Sequence, residues 1–278
     1  MVSVKGLLQK KLSQSEIDQV RKSFDLIGTV AIIEIPKPLR KKKKLIAKAI
    51  MQSNNRIEAV LLKTGAHSGK YRIEPLQWVL GKRQFVADYK ESGCHFHVPL
   101  GKTYFSPRLS TERDRIASLV KPGEWVGVFF GGVGPFSIII AKKSKPDRVV
   151  SFEWNPTAVR YLEENIVLNK VVGKVESVKG DVGKTSPLFY GLLDRVVMPS
   201  PETARQYLRN AIQCLKPEGG TIHYYCFSGA QNPSEEPKAF VESIAQSLGK
   251  KANVLHWKIV RPYSKETVQV CLDVEVKS

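Results

Sequence analysis

WVGVFFGGVGPFSIIIAKK, residues 125–143, changes its hydrophobic rhythm halfway. The first six residues are an unbroken apolar run, the pattern of a short strand buried on both faces of a parallel sheet. Gly131, Gly132, Gly134 and Pro135 then punctuate the chain, and a helix is expected just after them. Glycines at such a turn let the backbone approach a ligand closely, and the amides of the following helix are free to meet polar or anionic atoms. A glycine-rich loop alone also suits any tight strand-to-helix turn, so its weight depends on the residues downstream of it.

The same alternation continues toward the carboxyl end. RVVSFEW reads as a strand, residues 156–169 as a helix, and VESVKGD and DRVVM as further strands. A helix around residues 204–215, the strand GTIHYYCF, and late strands near residues 254–260 and 268–276 complete the series. Short apolar runs alternating with helices predict a doubly wound, Rossmann-like α/β domain. Upstream, VAIIEI at residues 30–35 is a β-branched strand that stops at Pro36. The basic run from Arg40 through Lys41, Lys42, Lys43 and Lys44 leads into a helix marked by Leu45, Ile46, Ala49 and Ile50. Between Ala59 and Val98, short β-rich pieces alternate with turn residues, the texture of a small α+β module. The expected division is a basic α+β module over 1–110 and a catalytic α/β domain over 111–278.

Charge supplies the first functional signal. The 278 residues carry 44 basic and 26 acidic side chains, a formal charge of +18. Residues 1–115 hold 23 basic and 10 acidic residues, against 21 and 16 in the remainder. The amino-terminal part therefore attracts a polyanion, and a nucleic acid fits; a solvated basic surface fits the charge alone equally well. Four lysines in a first helical turn oppose the helix dipole, so local helix stability did not select them. No apolar run reaches membrane-spanning length, and the start lacks the order of a signal peptide. Cys94, Cys214, Cys226 and Cys271 are widely spaced, without a zinc-like pair. A cytoplasmic, monomeric protein with reduced thiols and no metal is expected.

Glu153 ends the second α/β strand about 20 residues beyond the glycine turn, where a carboxylate can accept both ribose hydroxyls of a nucleoside cofactor. Asp181, in Gly180-Asp181-Val182, comes after the third strand, where it can accept from an adenine amino group. A glycine turn with Gly132 and Gly134, then Glu153, then Asp181 and Val182 at successive strand ends suits S-adenosylmethionine better than a nicotinamide dinucleotide.

These residues resemble the archaeal and eukaryotic tRNA N1-methyltransferases that modify the guanosine at position 37, beside the anticodon, together with their wyosine-synthesis relatives. SFDLIGTVAIIEIP, YFSPRLSTERDRI, GGVGPFSI, YLEENIVLNKV, GDV, DRVVM and IHYY carry the likeness, in the family's order, over residues 23–226. The resemblance implies a class I methyltransferase domain that uses S-adenosylmethionine, preceded by a module that helps to hold the tRNA anticodon stem-loop. Glu112 in STER matches the proposed general base, and Arg72 in KYRIE an arginine that contacts the target guanine. Tyr104, Phe105 and Arg108 match the segment closing over methionine and substrate. Arg113 and Arg115 join Lys41–Lys44 as expected RNA contacts, and positive charge from Arg108, Arg113 and Arg115 would keep Glu112 ionised.

The chain also departs from that pattern. Val128 stands where the first strand usually carries an acid, Glu74 stands where a second arginine is expected, and Met198-Pro199-Ser200-Pro201 replaces an Asn-Leu-Pro sequence. Pro199 has no side-chain group to orient cofactor and guanine as the usual asparagine would. The family's separate domain for the tRNA elbow is not expected within these residues. Two alternatives arise: transfer of the aminocarboxypropyl group in wyosine synthesis, or tRNA binding with a decayed catalytic site.

Overall fold

A computed structural model describes residues 3–21 and 23–278. The chain divides into two compact units, Met1–Arg108 and Leu109–Ser278.

The first unit opens with α1 (Val4–Leu8) and α2 (Gln14–Gln19). Ser13 and Glu16 form a reciprocal capping box at the start of α2, satisfying two otherwise orphaned amides. Strands β1 (Asp25–Ile27), β2 (Val30–Ile33), β3 (Ala59–Lys63) and β4 (Leu76–Gly81) form a sheet in that order. β2 and β3 are parallel, joined through a 3₁₀ turn (Lys37–Lys42) and α3 (Lys43–Ser53). Ile46, Ala49 and Ile50 of α3 pack with Ala31, Ile33, Val60 and Leu62 of the sheet, as the apolar spacing predicts. β5 (Val86–Glu91) and β6 (Cys94–Pro99) form a separate hairpin. Its two-residue turn, Ser92 and Gly93, has positive φ at both positions (53° and 75°), which matches the twist of the flanking strands.

The second unit begins with α4 (Ser110–Leu119) and continues with β7 (Trp125–Phe129), α5 (Pro135–Lys143), β8 (Arg148–Glu153), α6 (Pro156–Leu168) and β9 (Val175–Lys179). Then come α7 (Val182–Thr185), β10 (Arg195–Met198), α8 (Leu208–Cys214), β11 (Gly219–Gly229), α9 (Glu235–Gln246), β12 (Lys251–Pro262) and β13 (Thr267–Lys277). The sheet order is β12-β13-β11-β10-β7-β8-β9. The chain winds outward from β7 to β9, then returns to β10 on the other flank of β7. This reversal opens a crevice beyond the carboxyl ends of β7 and β10, where ligands of doubly wound folds bind. Val126, Val128 and Phe129 are fully buried, as a central parallel strand requires.

Two features depart from the sequence reading. β13 lies between β11 and β12 and is antiparallel to both, so the sheet is parallel only from β9 to β11. Helix α9 occupies a stretch without an expected element; Pro237, Val241 and Ala245 bury one stripe of it, but the proline obscures that helical periodicity. Among the described residues, no helix is long and apolar enough to cross a membrane. All four cysteines are free and buried.

Candidate active site

The glycine turn is fastened to the neighbouring strands by hydrogen bonds. Gly131 N–H donates to the Phe152 carbonyl at 2.8 Å, and Gly132 N–H donates to Glu153 Oε2 at 2.7 Å. Glu153 Oε1 accepts from the Asn155 amide at 2.7 Å, while its carbonyl accepts from Gly180 N–H at 2.9 Å. The ends of β7, β8 and β9 are thus joined at one acidic residue. Gly134 has φ 91°, and a Cβ there would lie 2.5 Å from Leu162 Cδ1, so the turn requires glycine. Burial raises the Glu153 carboxyl above the usual carboxylate range, an effect its backbone amide donors oppose. Asp181 Oδ1 accepts from Gly183 N–H at 2.8 Å, and Val182 is buried beside it.

These residues fit S-adenosylmethionine. Each carboxylate oxygen retains acceptor capacity beyond the amides it already serves, as ribose hydroxyls and an adenine amino group need. The glycine backbone leaves room for a close approach, and two acids suit a cofactor whose reactive centre is a cation.

Glu112 lies on α4 and is 3% exposed. Its Oε1 accepts from Arg115 Nη2 at 2.7 Å and from the Tyr225 hydroxyl at 2.8 Å. Its Oε2 accepts from Arg115 Nε at 3.0 Å, and Lys258 Nζ lies 3.3 Å away. Burial opposes its ionisation, but the Arg115 guanidinium, the Tyr225 hydroxyl and the Lys258 ammonium together hold the carboxyl below its ordinary range. The sequence reading assigned this task to Arg108, Arg113 and Arg115; Arg115 performs it, together with Lys258.

Of the two arginines expected to contact RNA, Arg113 is buried, which corrects that expectation, whereas Arg115 is half-buried and engaged in ion pairs. Arg113 is 1% exposed with its guanidinium over the Phe136 ring, while Arg115 lies between Glu112 and Asp273. Arg108 pairs with Asp25 at 2.7 Å. Tyr225, Lys258 and Asp273 are functional candidates that sequence reasoning missed. Tyr225 lies in IHYY, a segment that carries the family likeness but to which no role was assigned, and Asp273 is 158 positions from Arg115.

In the first unit, Arg72 is half-buried at φ 52°, a backbone region that non-glycine residues rarely adopt. His67 Nδ1 lies 3.0 Å from the Arg72 carbonyl, and the His67 ring is 5.5 Å from that of Tyr104. Phe105 packs edge-on against Tyr89 at 5.0 Å. Glu74 pairs with Lys63 at 3.2 Å. Of the basic run, Lys41 and Lys44 are exposed, Lys42 pairs with Glu16 at 2.6 Å, and Lys43 donates to Gln77 at 2.9 Å.

His223, Cys271 and Asp273 place donor atoms within 4.8 Å of one another, a grouping that could hold a metal. Arg115 Nη1 reaches Asp273 Oδ2 at 2.5 Å, Arg115 Nη2 reaches Cys271 Sγ at 3.3 Å, and Arg195 Nη1 reaches His223 Nε2 at 2.7 Å. The donor set is therefore engaged by two guanidinium cations, which would repel a metal ion.

The switch-point crevice, with its glycine turn and a carboxylate after each of the next two strands, defines a class I, Rossmann-like methyltransferase. Residues 87–255 match the TRM5/TYW2 methyltransferase domain, and residues 4–84 match the TYW2 N-terminal domain. The chain belongs to the TRM5/TYW2 methyltransferase family. It is 37% identical over 254 residues to the tRNA (guanine(37)-N(1))-methyltransferase Trm5b of Pyrococcus abyssi, covering 91% of this chain and 74% of the relative. The crystal structure of that protein superposes with a TM-score of 0.87 at 35% identity, over 96% of this chain and 79% of the other. The tRNA 4-demethylwyosine(37)-methyltransferase Taw21 of Saccharolobus solfataricus is 29% identical over 275 residues, 98% of this chain and 99% of that one. The structure of TYW2 from Methanocaldococcus jannaschii in complex with AdoMet gives a TM-score of 0.72 at 25% identity, over 92% and 99% of the two chains.

Proposed function

We propose that this enzyme transfers a methyl group from S-adenosylmethionine to N1 of guanosine 37 in tRNA. The observation carrying this reading is the buried, charge-paired Glu112 in the unit that also holds the Glu153 and Asp181 cradle. S-adenosylmethionine would supply an activated methyl group on a sulfonium. Gly132, Gly134, Glu153, Asp181 and Val182 bind its nucleoside. Glu112 accepts the guanine N1 proton as general base, a contribution of roughly 10² to 10⁴ in rate. A carboxylate held ionised is a weak base, but the N1 proton becomes strongly acidic as its nitrogen is alkylated. Arg72 stabilises charge developing on the guanine O6. The family resemblance assigns Tyr104, Phe105 and Arg108 to the methionine and substrate, and Lys41 and Lys44 contribute attraction for the tRNA backbone.

A second reading, methylation of 4-demethylwyosine at the same tRNA position, is favoured by the end-to-end match to Taw21. The test uses methyl-labelled cofactor with tRNA carrying guanosine, adenosine or 4-demethylwyosine at position 37. Label in the guanosine tRNA alone supports the main reading. Label confined to the 4-demethylwyosine tRNA replaces it with the second.

A further inference from the structure

Behind Glu112 runs an unbroken chain of buried and half-buried polar groups in the second unit. Glu124 accepts from Arg195 Nε at 2.7 Å and from Nη2 at 2.9 Å. Arg195 Nη2 also donates to the Leu119 carbonyl at 2.9 Å, and Nη1 lies 2.7 Å from His223 Nε2. A guanidinium can only donate, so Nε2 accepts and the His223 proton sits on Nδ1. That proton is donated to Asp273 Oδ1 at 2.6 Å. His223 is therefore a neutral strut, kept so by burial and by the nearby Arg195 and Arg115 charges. Asp273 Oδ2 accepts from Arg115 Nη1 at 2.5 Å, and the other edge of the same guanidinium holds both oxygens of Glu112.

Arg115, Arg195 and Lys258 thus face Glu112, Asp273 and Glu124. Such a buried network is a weak source of stability, because apolar residues of similar volume usually serve as well. What it supplies is geometry: Arg115 is gripped on one edge, so its other edge is fixed. We propose that Arg115, braced by Asp273, His223 and Arg195, is the positioning residue that sets the orientation and charge of Glu112 for methyl transfer. The proposal rests on the reading of Glu112 as the general base.

The charged and titratable groups facing Glu112 among the described residues of the second unit are Arg115 on α4, Tyr225 on β11, Lys258 on β12, and Cys271 and Asp273 on β13. Removing Arg115 takes away the principal cation holding a buried carboxylate ionised, so Glu112 should require a higher pH to act as a base. Neutralising Asp273 leaves the whole Arg115 charge to Glu112, so no upward movement should result.

The test is single-turnover methyl transfer to tRNA from pH 9 down to pH 4, so that the wild-type acid limb is reached, with cofactor and tRNA affinities measured on the same variants of the full chain. In Arg115→Met the acid limb should move up by at least one pH unit, and the neutral-pH rate should fall at least tenfold, with affinities within threefold of wild type. Arg115→Lys, which keeps the charge but loses the fork, should return the limb toward wild type without restoring the rate. Asp273→Asn should lower the rate with its limb at or below the wild-type position. If Arg115→Met does not fold, Arg115→Lys and Asp273→Asn decide the matter: wild-type rates in both overturn the proposal. A wild-type limb in Arg115→Met, or an upward shift in Asp273→Asn, also overturns it. A Glu112→Gln rate within threefold of wild type removes the general-base reading itself, which separates the two failures.

Discussion

Glu153 Oε2 accepts the Gly132 amide proton at 2.7 Å, so the residue expected to hold the cofactor ribose also holds the glycine turn in place. One carboxylate thereby shapes both the cradle and its polar contact. In Glu153→Gln, one terminal atom becomes a donor and must face either the Gly132 or the Asn155 amide. Loss of a hydrogen bond to a charged group costs about 1.5–3 kcal/mol, roughly 10- to 150-fold in affinity. Calorimetry with S-adenosylmethionine should show that loss, and thermal denaturation without cofactor should show a less stable protein. Asp181→Asn is the contrast. Asparagine can still cap Gly183 N–H through its carbonyl oxygen, so cofactor affinity should fall with little change in melting temperature.

Gly134→Ala should destabilise the second unit even without ligand. The new Cβ would meet Leu162 Cδ1 at 2.5 Å and Ile138 Cδ1 at 2.9 Å on a backbone with φ 91°. Overpacking and a left-handed non-glycine residue together cost about 1–3 kcal/mol. Thermal denaturation should register a drop of roughly 2–10 °C. An unchanged melting temperature would show that α6 moves aside freely.

Lys41 and Lys44 should carry more of the basic run's effect on tRNA than Lys42 and Lys43, which already have side-chain partners. Each phosphate contact adds about 0.7 to 0.9 to the slope of log affinity against log salt. Replacing Lys41 and Lys44 with Gln should therefore flatten that slope by about 1 to 2, while the same change at Lys42 and Lys43 should do less. Equal slopes in both pairs would assign the charge to a general solvated face.

Acid should weaken the fold through the buried network. Charge partners hold the Glu112 and Asp273 carboxyls below their ordinary values of 4.5 and 3.8. The unfolded chain therefore takes up protons first as pH falls, so these groups contribute stability that is fully present above about pH 5 and lost as pH drops through their lowered folded values. Denaturant titrations should show wild-type stability falling between pH 5 and 3. Asp273→Asn should be less stable at pH 7 and should lose less over that interval.

Much of this architecture was legible in short-range pattern. Residues 125–143 gave β7, the turn and α5 because a buried parallel strand is a plain apolar run and the glycines mark its end. Glu153 and Asp181 were visible as acids at successive strand ends, and the structure places Glu153 against Gly132. What the pattern could not give was contact between distant segments. Glu112 was visible through STER, but Tyr225 and Asp273 meet the α4 residues only because β11 and β13 become neighbours, across separations of 113 and 158 residues. The antiparallel insertion of β13 was hidden for the same reason, since strand direction leaves no mark on hydrophobic periodicity. Arg113 misled because sequence shows charge without showing which way a helix face points.

The most direct measurement is the mass of the nucleoside at position 37 after tRNA with an unmodified guanosine is incubated with the protein and S-adenosylmethionine, digested, and analysed by mass spectrometry. The expected product is guanosine bearing one methyl group on N1, formed at a rate that Glu112→Gln lowers on the order of 100-fold or more. Unaltered guanosine, or a nucleoside carrying the much heavier aminocarboxypropyl group, would contradict that expectation.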